Sequence, residues 1–180
     1  MGLPGPPFLY LERHNMRPWS HYHDTLLEFP GSHGLLGVET DILSNAEHPS
    51  QPIIFDMRMP PKTEQIAQLA KCVGDEGEFA VITAFNPGVM FSREQNLQLH
   101  VRLQAVLTER GITFVQANGV AAFTESGQLP HRELGVAIRI HKDTAREIAE
   151  LFKQDAFFWF DGQHFWIEPA CVRDIAAARV

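Results

Sequence analysis

The order of segments in the second half of the chain constrains the fold more than any other feature. Residues 79–85, Phe79-Ala-Val-Ile-Thr-Ala-Phe85, form an apolar, β-branched run of strand length. Asn86-Pro87-Gly88 closes it, with Pro and Gly placed as a type II turn requires. Ser92 and Gln95 make a capping box for a helix that runs to about Arg110 and ends at Gly111, with Leu99, Leu103, Val106 and Leu107 as its core stripe. Residues 112–116 and 134–140 read as strands. Thr144 and Glu147 make a second capping box, for a helix with Ala145, Ile148, Ala149 and Phe152 on one face. Two aromatic runs, 156–160 and 163–167, flank Asp161-Gly162, a strong signal for a two-residue hairpin.

Residues 79–160 therefore spell β-α-β-β-α-β, the split βαβ or ferredoxin-like order, with one strand added by the C-terminal hairpin. The predicted class is α+β: an antiparallel sheet with two helices on one face. The other face is wet, used for binding, or covered by the first 50 residues. A strand at 52–56 and a helix at 63–73 precede this unit. Thr63 is the expected N-cap, Ile66, Leu69, Ala70 and Val73 the apolar face, and Gly74 the stop. Counted as one more βα unit, they leave a doubly wound sheet as the alternative. Residues 1–50 hold five of the nine histidines, are rich in Pro, Gly and Asn, and show only a short periodic stretch around 25–29. They read as a loop-rich arm beside a single α+β domain at 51–180.

Bulk properties narrow the function. The longest strongly apolar run is that of residues 79–85, well short of the ~20 residues of a membrane helix, so no membrane role is expected. The N-terminus lacks the pattern of a secretory signal, and Pro6 occupies the position where myristoylation needs Ser or Thr. Cys72 and Cys171 are the only cysteines and form no CxxC, which points to a cytoplasmic protein with reduced thiols. A net charge of -7 argues against nucleic acid as a partner.

Four sets of residues are candidates for chemistry. Side chains of a strand alternate, so Leu134, Val136, Ile138 and Ile140 face one way, and His131, Glu133, Gly135, Ala137, Arg139 and His141 the other. This row offers His131 or Glu133 as a general base and Arg139 as a ligand contact, with Gln116 on the neighbouring strand. Asn96 falls on the buried stripe of its helix and Asn86 ends a core strand, which brings two amides to one helix start. His21-Tyr-His23-Asp24, with His14, resembles a metal cluster only superficially and no metal is expected. His131-Arg-Glu133 lacks the paired P-C-x-x-C of zinc deaminases, and no phosphate-loop or nucleophile-elbow motif is present. The hairpin places Phe157, Trp159, His164 and Trp166 on one side, and Phe158, Phe160, Phe165 and Ile167 on the other. One set faces the helices. The second suits the arm, a second copy in a homodimer, or a base-stacking platform.

Thr83-Ala-Phe-Asn-Pro87, the Ser92…Asn96 helix start, Arg132-Glu133 and Phe152-Lys-Gln154-Asp-Ala156 together resemble a bacterial family known only as domain of unknown function 3293 (DUF3293). The likeness spans about residues 79–168, and Asp155 departs from the Asn expected there. The resemblance implies no activity and no cofactor; it singles out Asn86, Pro87, Asn96, Glu133 and Gln154.

These readings predict a binding or regulatory domain that takes a small polar or anionic ligand, or a protein partner, through Asn86, Asn96, His131, Glu133, Gln154 and Arg139. The alternative is an enzyme with Glu133 or His131 as general base; an RNA-binding module is the third. A deep pocket with Glu133 and a histidine in hydrogen-bond reach favours the enzyme, and a flat apolar patch favours a partner surface.

Overall fold

The computed structural model describes residues 20–29, 52–74, 77–87, 90–122 and 130–170. His14, His33, His48, Gly88, Cys171 and the side chain of His21 lie outside the described residues. A turn of helix, α1 (Ser20–His23), leads into β1 (Thr25–Phe29); β2 (Ile53–Asp56) and α2 (Thr63–Val73) come next. Then follow β3 (Phe79–Thr83), α3 (Arg93–Glu109), β4 (Phe114–Gln116), β5 (Asn118–Ala121), β6 (Arg132–Glu133) and β7 (Gly135–Ile138). The last elements are α4 (Lys142–Leu151), β8 (Ala156–Phe160) and β9 (Phe165–Pro169).

The architecture is α+β, with two antiparallel sheets. One has five strands in the order β4-β7-β3-β8-β9, and the other four in the order β2-β1-β5-β6. Period-two alternation gives the larger sheet two apolar faces. Ala80, Ile82, Val136, Ile138, Phe157 and Trp159 pack under α3 and α4, against Leu103, Leu107, Ile148 and Ala149. Phe79, Val81, Ala137, Phe158 and Phe160 face the smaller sheet, meeting Leu27, Phe29, Ile53 and Phe55. The face expected to be wet or covered by an arm is thus covered by a second sheet, and β1, from the stretch at 25–29, is an inner strand of it. α2 adds Leu69 to the same core.

The sheets are joined by a single folded ribbon. β4 pairs with β7 and β5 with β6 in one continuous register, Gln116↔Val136 and Gly119↔Glu133. At Ala117 and Leu134 the ribbon passes from one sheet to the other. The single strand predicted at 134–140 is therefore 135–138, and Glu133 belongs to the other sheet. Gly135 makes the fold-over feasible: a Cβ there would lie 2.6 Å from the Ala117 carbonyl oxygen and 3.0 Å from that of Ile82.

Helix ends follow the capping signals unevenly. Ser92 Oγ accepts from the Gln95 N–H at 3.2 Å while the Gln95 side chain accepts from the Ser92 N–H at 3.0 Å, a reciprocal box. Lys62, not Thr63, caps α2, its N–H donating to Gln65 Oε1 at 3.0 Å. α4 begins at Lys142 after His141, so Thr144 lies inside the first turn rather than at the cap. The hairpin turn is Gly162-Gln163 rather than Asp161-Gly162: Phe160 pairs with Phe165, and Gly162 takes φ 95°. This shifts the pairing by two residues, which leaves every side chain on its predicted face. The Asp161 carboxylate ties the turn, accepting from the N–H groups of Gln163 and His164 and from Trp166 Nε1.

Most of both aromatic sets of the hairpin is buried inside the chain. Trp159 is 2% exposed under the helices, and Phe158, Phe160 and Phe165 are buried between the sheets. Among the described residues neither set forms an open stacking platform, and His164 and Trp166 are half-buried. Among the described residues, no helix is long and apolar enough to cross a membrane.

Candidate functional site

The space between the two sheets is filled at one end and hollow at the other. A cavity of about 530 Å³ opens where β3 ends and β8 begins, a size typical of small-ligand sites, which run from ~300 to ~1,000 Å³. Asn86, His131, Glu133 and Gln154 all line it, together with Tyr22, Asp24, Thr83, Lys153 and Asp155. Its apolar wall includes Leu27, Val81, Val120 and Phe158.

Asn86 is the hub. It has left-handed backbone, φ 49°, which Asn tolerates better than most residues because its short amide can bond locally. The Asn86 N–H donates to Asn96 Oδ1 at 2.8 Å, and Asn96 Nδ2 donates back to Asn86 Oδ1 at 2.8 Å. The Phe91 N–H reaches the same Oδ1 at 3.1 Å. This reciprocal amide pair pins the turn after β3 to the first turns of α3, and it explains how Asn96 can be buried at 4% exposure. The remaining donor of Asn86, Nδ2, points to Glu133 Oε1 at 3.0 Å.

Glu133 Oε1 also accepts from His131 Nε2 at 3.1 Å, which places the imidazole proton on Nε2. The histidine side chain is 56% exposed at the rim and the carboxylate 29% exposed. Gln154 enters from the far wall, where Nε2 donates to the carbonyls of Phe85 at 3.1 Å and Phe152 at 3.3 Å. Its fixed orientation ties the start of β8 to the end of β3.

Arg139 does not join this group. It stands beyond the other end of β7, with its guanidinium beside Gly77, and it is not part of the cavity wall. The row of alternating residues holds through His131, Glu133, Gly135 and Ala137, all on the inter-sheet side, but the strand ends before Arg139. Gln116 likewise stays outside, its Nε2 donating to Asn118 Oδ1 at 3.1 Å.

Thr83, Lys153 and Asp155 were not singled out as site residues by the sequence, and Tyr22 and Asp24 were considered only within the discounted metal cluster. Tyr22 donates to the Ala156 carbonyl at 3.3 Å and packs edge-on against Phe158. Burial, then the negative charge of Asp155, and more weakly that of Glu133, raise its phenol well above the usual range. Thr83 Oγ1 donates to the Leu134 carbonyl at 2.9 Å. The spacing Tyr22-x-Asp24-Thr25 carries no signal of its own; only the pairing of β1 with β5 brings it here. His100, one turn after Asn96, is buried beside Phe85 with Nδ1 unpartnered, and burial lowers its imidazole below the usual value. It is on the helix side of the sheet, outside the cavity wall. Among the described residues, no group of three His, Cys, Asp or Glu side chains is placed to hold a metal ion.

All the sequence-derived candidates in the wall fall between the end of β3 and the start of β8, and that stretch is what comparison with known families picks out. Residues 82–157 match the family model described as Protein of unknown function (DUF3293). This is the family resembled in sequence, over a slightly shorter span. No curated protein and no solved structure matches the chain. The DUF3293 segment carries Asn86, Asn96, His131, Glu133 and Gln154, while the wall built from Tyr22, Asp24 and Leu27 lies before it.

Proposed function

We propose that the chain is a small-molecule-binding domain whose ligand occupies the inter-sheet cavity and meets Glu133. One observation carries this reading: Asn86, His131, Glu133 and Gln154, scattered over 69 residues by sequence, line one cavity of about 530 Å³. A hollow with a largely apolar lining and a few convergent polar groups fits a small molecule better than a protein surface, which would be flatter. The Asn86 and His131 contacts hold one carboxylate oxygen of Glu133 and leave the other for the ligand. We read the order β4-β7-β3-β8, with α3 and α4 on one face, as the split βαβ arrangement with β9 added. We place the protein in the cytoplasm on its cysteine usage.

The test is a thermal-shift screen of the full chain over nucleotides, small acids and amines, and divalent metals. A ligand that binds only the folded state raises the melting temperature. The Glu133→Ala variant is expected to fold and to lose that shift. If nothing shifts the wild type while Glu133→Ala and Asn96→Ala both unfold, the polar set is structural and the proposal fails.

The His131–Glu133 contact at 3.1 Å inside a pocket favours a second reading, in which the pair performs proton transfer on the bound molecule. Glu133 would take the proton on Oε2 and release it to water at the open cavity, while His131, donating through Nε2–H to Oε1, orients the carboxylate. Catalytic amounts of protein incubated with a ligand found in the screen then yield product, and Glu133→Gln binds the ligand without converting it. An unchanged ligand after long incubation leaves the binding reading alone.

A further inference from the structure

We infer that the ligand of this cavity carries a positively charged nitrogen, an amine or guanidinium, on an apolar body. The inference rests on the small-molecule reading above and sharpens it: of the polar or anionic ligand expected from the sequence, it keeps the polar character and reverses the charge.

The hydrogen-bonding atoms of the wall are unevenly committed. The donors of the deeper wall are already engaged within the protein. Asn86 Nδ2 is given to Glu133, Gln154 Nε2 to two backbone carbonyls, Thr83 Oγ1–H to Leu134 and the Tyr22 hydroxyl to Ala156. What remains is of the opposite kind. Glu133 Oε2 and Gln154 Oε1 accept no hydrogen bond among the described residues. Gln154 is only 7% exposed, so its amide oxygen is an acceptor held at depth beside a cavity. A ligand that supplies N–H donors meets both of these acceptors, which the protein's own described donors leave open.

Charge points the same way. The wall holds the carboxylates of Asp24, Glu133 and Asp155 against one ammonium, that of Lys153; Asp24, Asp155 and Lys153 are exposed at the mouth, and Glu133 is half-buried. Burial first, then the negative charge of Asp155 and more weakly that of Glu133, raise the Tyr22 phenol beside this wall. An acid entering would meet acceptors and like charge, whereas an ammonium would meet Glu133 Oε2 and Gln154 Oε1 as acceptors. Leu27, Val81, Val120 and Phe158 then cover the apolar remainder.

The test uses three probes with one body and three charge states: benzylamine, benzyl alcohol and benzoate. Each is titrated into the ¹⁵N-labelled full chain, and the amide shifts of Gly119, Glu133, Gln154 and Asp155 are followed. Benzylamine is expected to bind at least about tenfold more tightly than benzoate, and Glu133→Gln to erase that preference. Asp155→Asn, at the exposed mouth, is the second variant should Glu133→Gln not fold; it should reduce the preference by up to about fivefold. If benzoate binds as well as benzylamine, or if the preference survives both substitutions, the charge inference is overturned and the cavity reading stands. If none of the probes moves cavity resonances, the small-molecule reading falls and takes this inference with it.

Discussion

The two ends of the inter-sheet layer are built from the same strands and come out differently. Along β1, β3 and β8 the inward-facing residues run Phe29, Leu27, Thr25; Phe79, Val81, Thr83; and Phe160, Phe158, Ala156. Each strand steps from a ring to a small side chain in the same direction. At the first end Phe29 meets Phe55 and Phe79 edge-on at 5.7 and 6.0 Å, and Phe165 reaches Phe55 at 5.2 Å. At the second end the folded ribbon supplies Ala117, Gly119 and Gly135, which cannot span the roughly 10 Å between packed sheets. The hollow is thus the sum of small residues on five strands, not a defect in one. The chain keeps its stability at the aromatic end and its accessible polar groups at the other.

The sharpest way to break this contrast is to truncate one ring at each end. Phe29→Ala removes a ring with no exposure from a filled region and should cost about 3–5 kcal/mol. Phe158→Ala removes atoms that already border the cavity and should cost less, about 1–3 kcal/mol, because part of the lost packing was never there. Urea midpoints at constant slope measure both. Equal losses would mean that the hollow end is as tightly determined as the filled one.

Next in size is the amide pair. Asn96→Ala strips the Asn86 N–H and one contact of Asn86 Oδ1 of their partner while Asn86 stays in left-handed backbone. The expected loss is about 1–3 kcal/mol, with the Asn86 amide resonance moving most. A neutral outcome would show that the turn after β3 holds its shape without α3, and that Glu133 needs no such support.

Much of this was legible in the sequence, and what was not has a physical reason. The alternation at 131–138 correctly separated Val136 and Ile138, under the helices, from Glu133 and Ala137, between the sheets, because a fold in the ribbon does not change parity. The burial of Asn96 followed from its place on the stripe of α3. The second sheet was not visible. Its strands β5 and β6 are short, β1 looked like a lone periodic patch, and all three depend on pairing at long range rather than on local signals. The cavity was invisible for the same reason, since Tyr22 and Asp24 reach it only through that sheet. Arg139 was misjudged because alternation says which way a side chain faces and not where the strand stops.

The smallest effects come from the two glycines in the hollow wall, and they should differ in sign. Gly135→Ala forces a methyl against two backbone oxygens at 2.6 and 3.0 Å, neither of which can move without breaking the ribbon's fold-over. It should lose about 1–3 kcal/mol. Gly119 faces the same cavity, its backbone φ lies outside the left-handed range, and an added Cβ would meet only Thr25 Cγ2, at an ordinary 3.6 Å. Gly119→Ala therefore narrows the denatured ensemble without strain and should gain about 0.4–1 kcal/mol. The same methyl takes up cavity space, so benzylamine should bind the more stable variant more weakly. Melting temperature and affinity moving in opposite directions at this one position would show that the hollow is kept at the expense of stability; a loss of both would mean that the wall at Gly119 is already full.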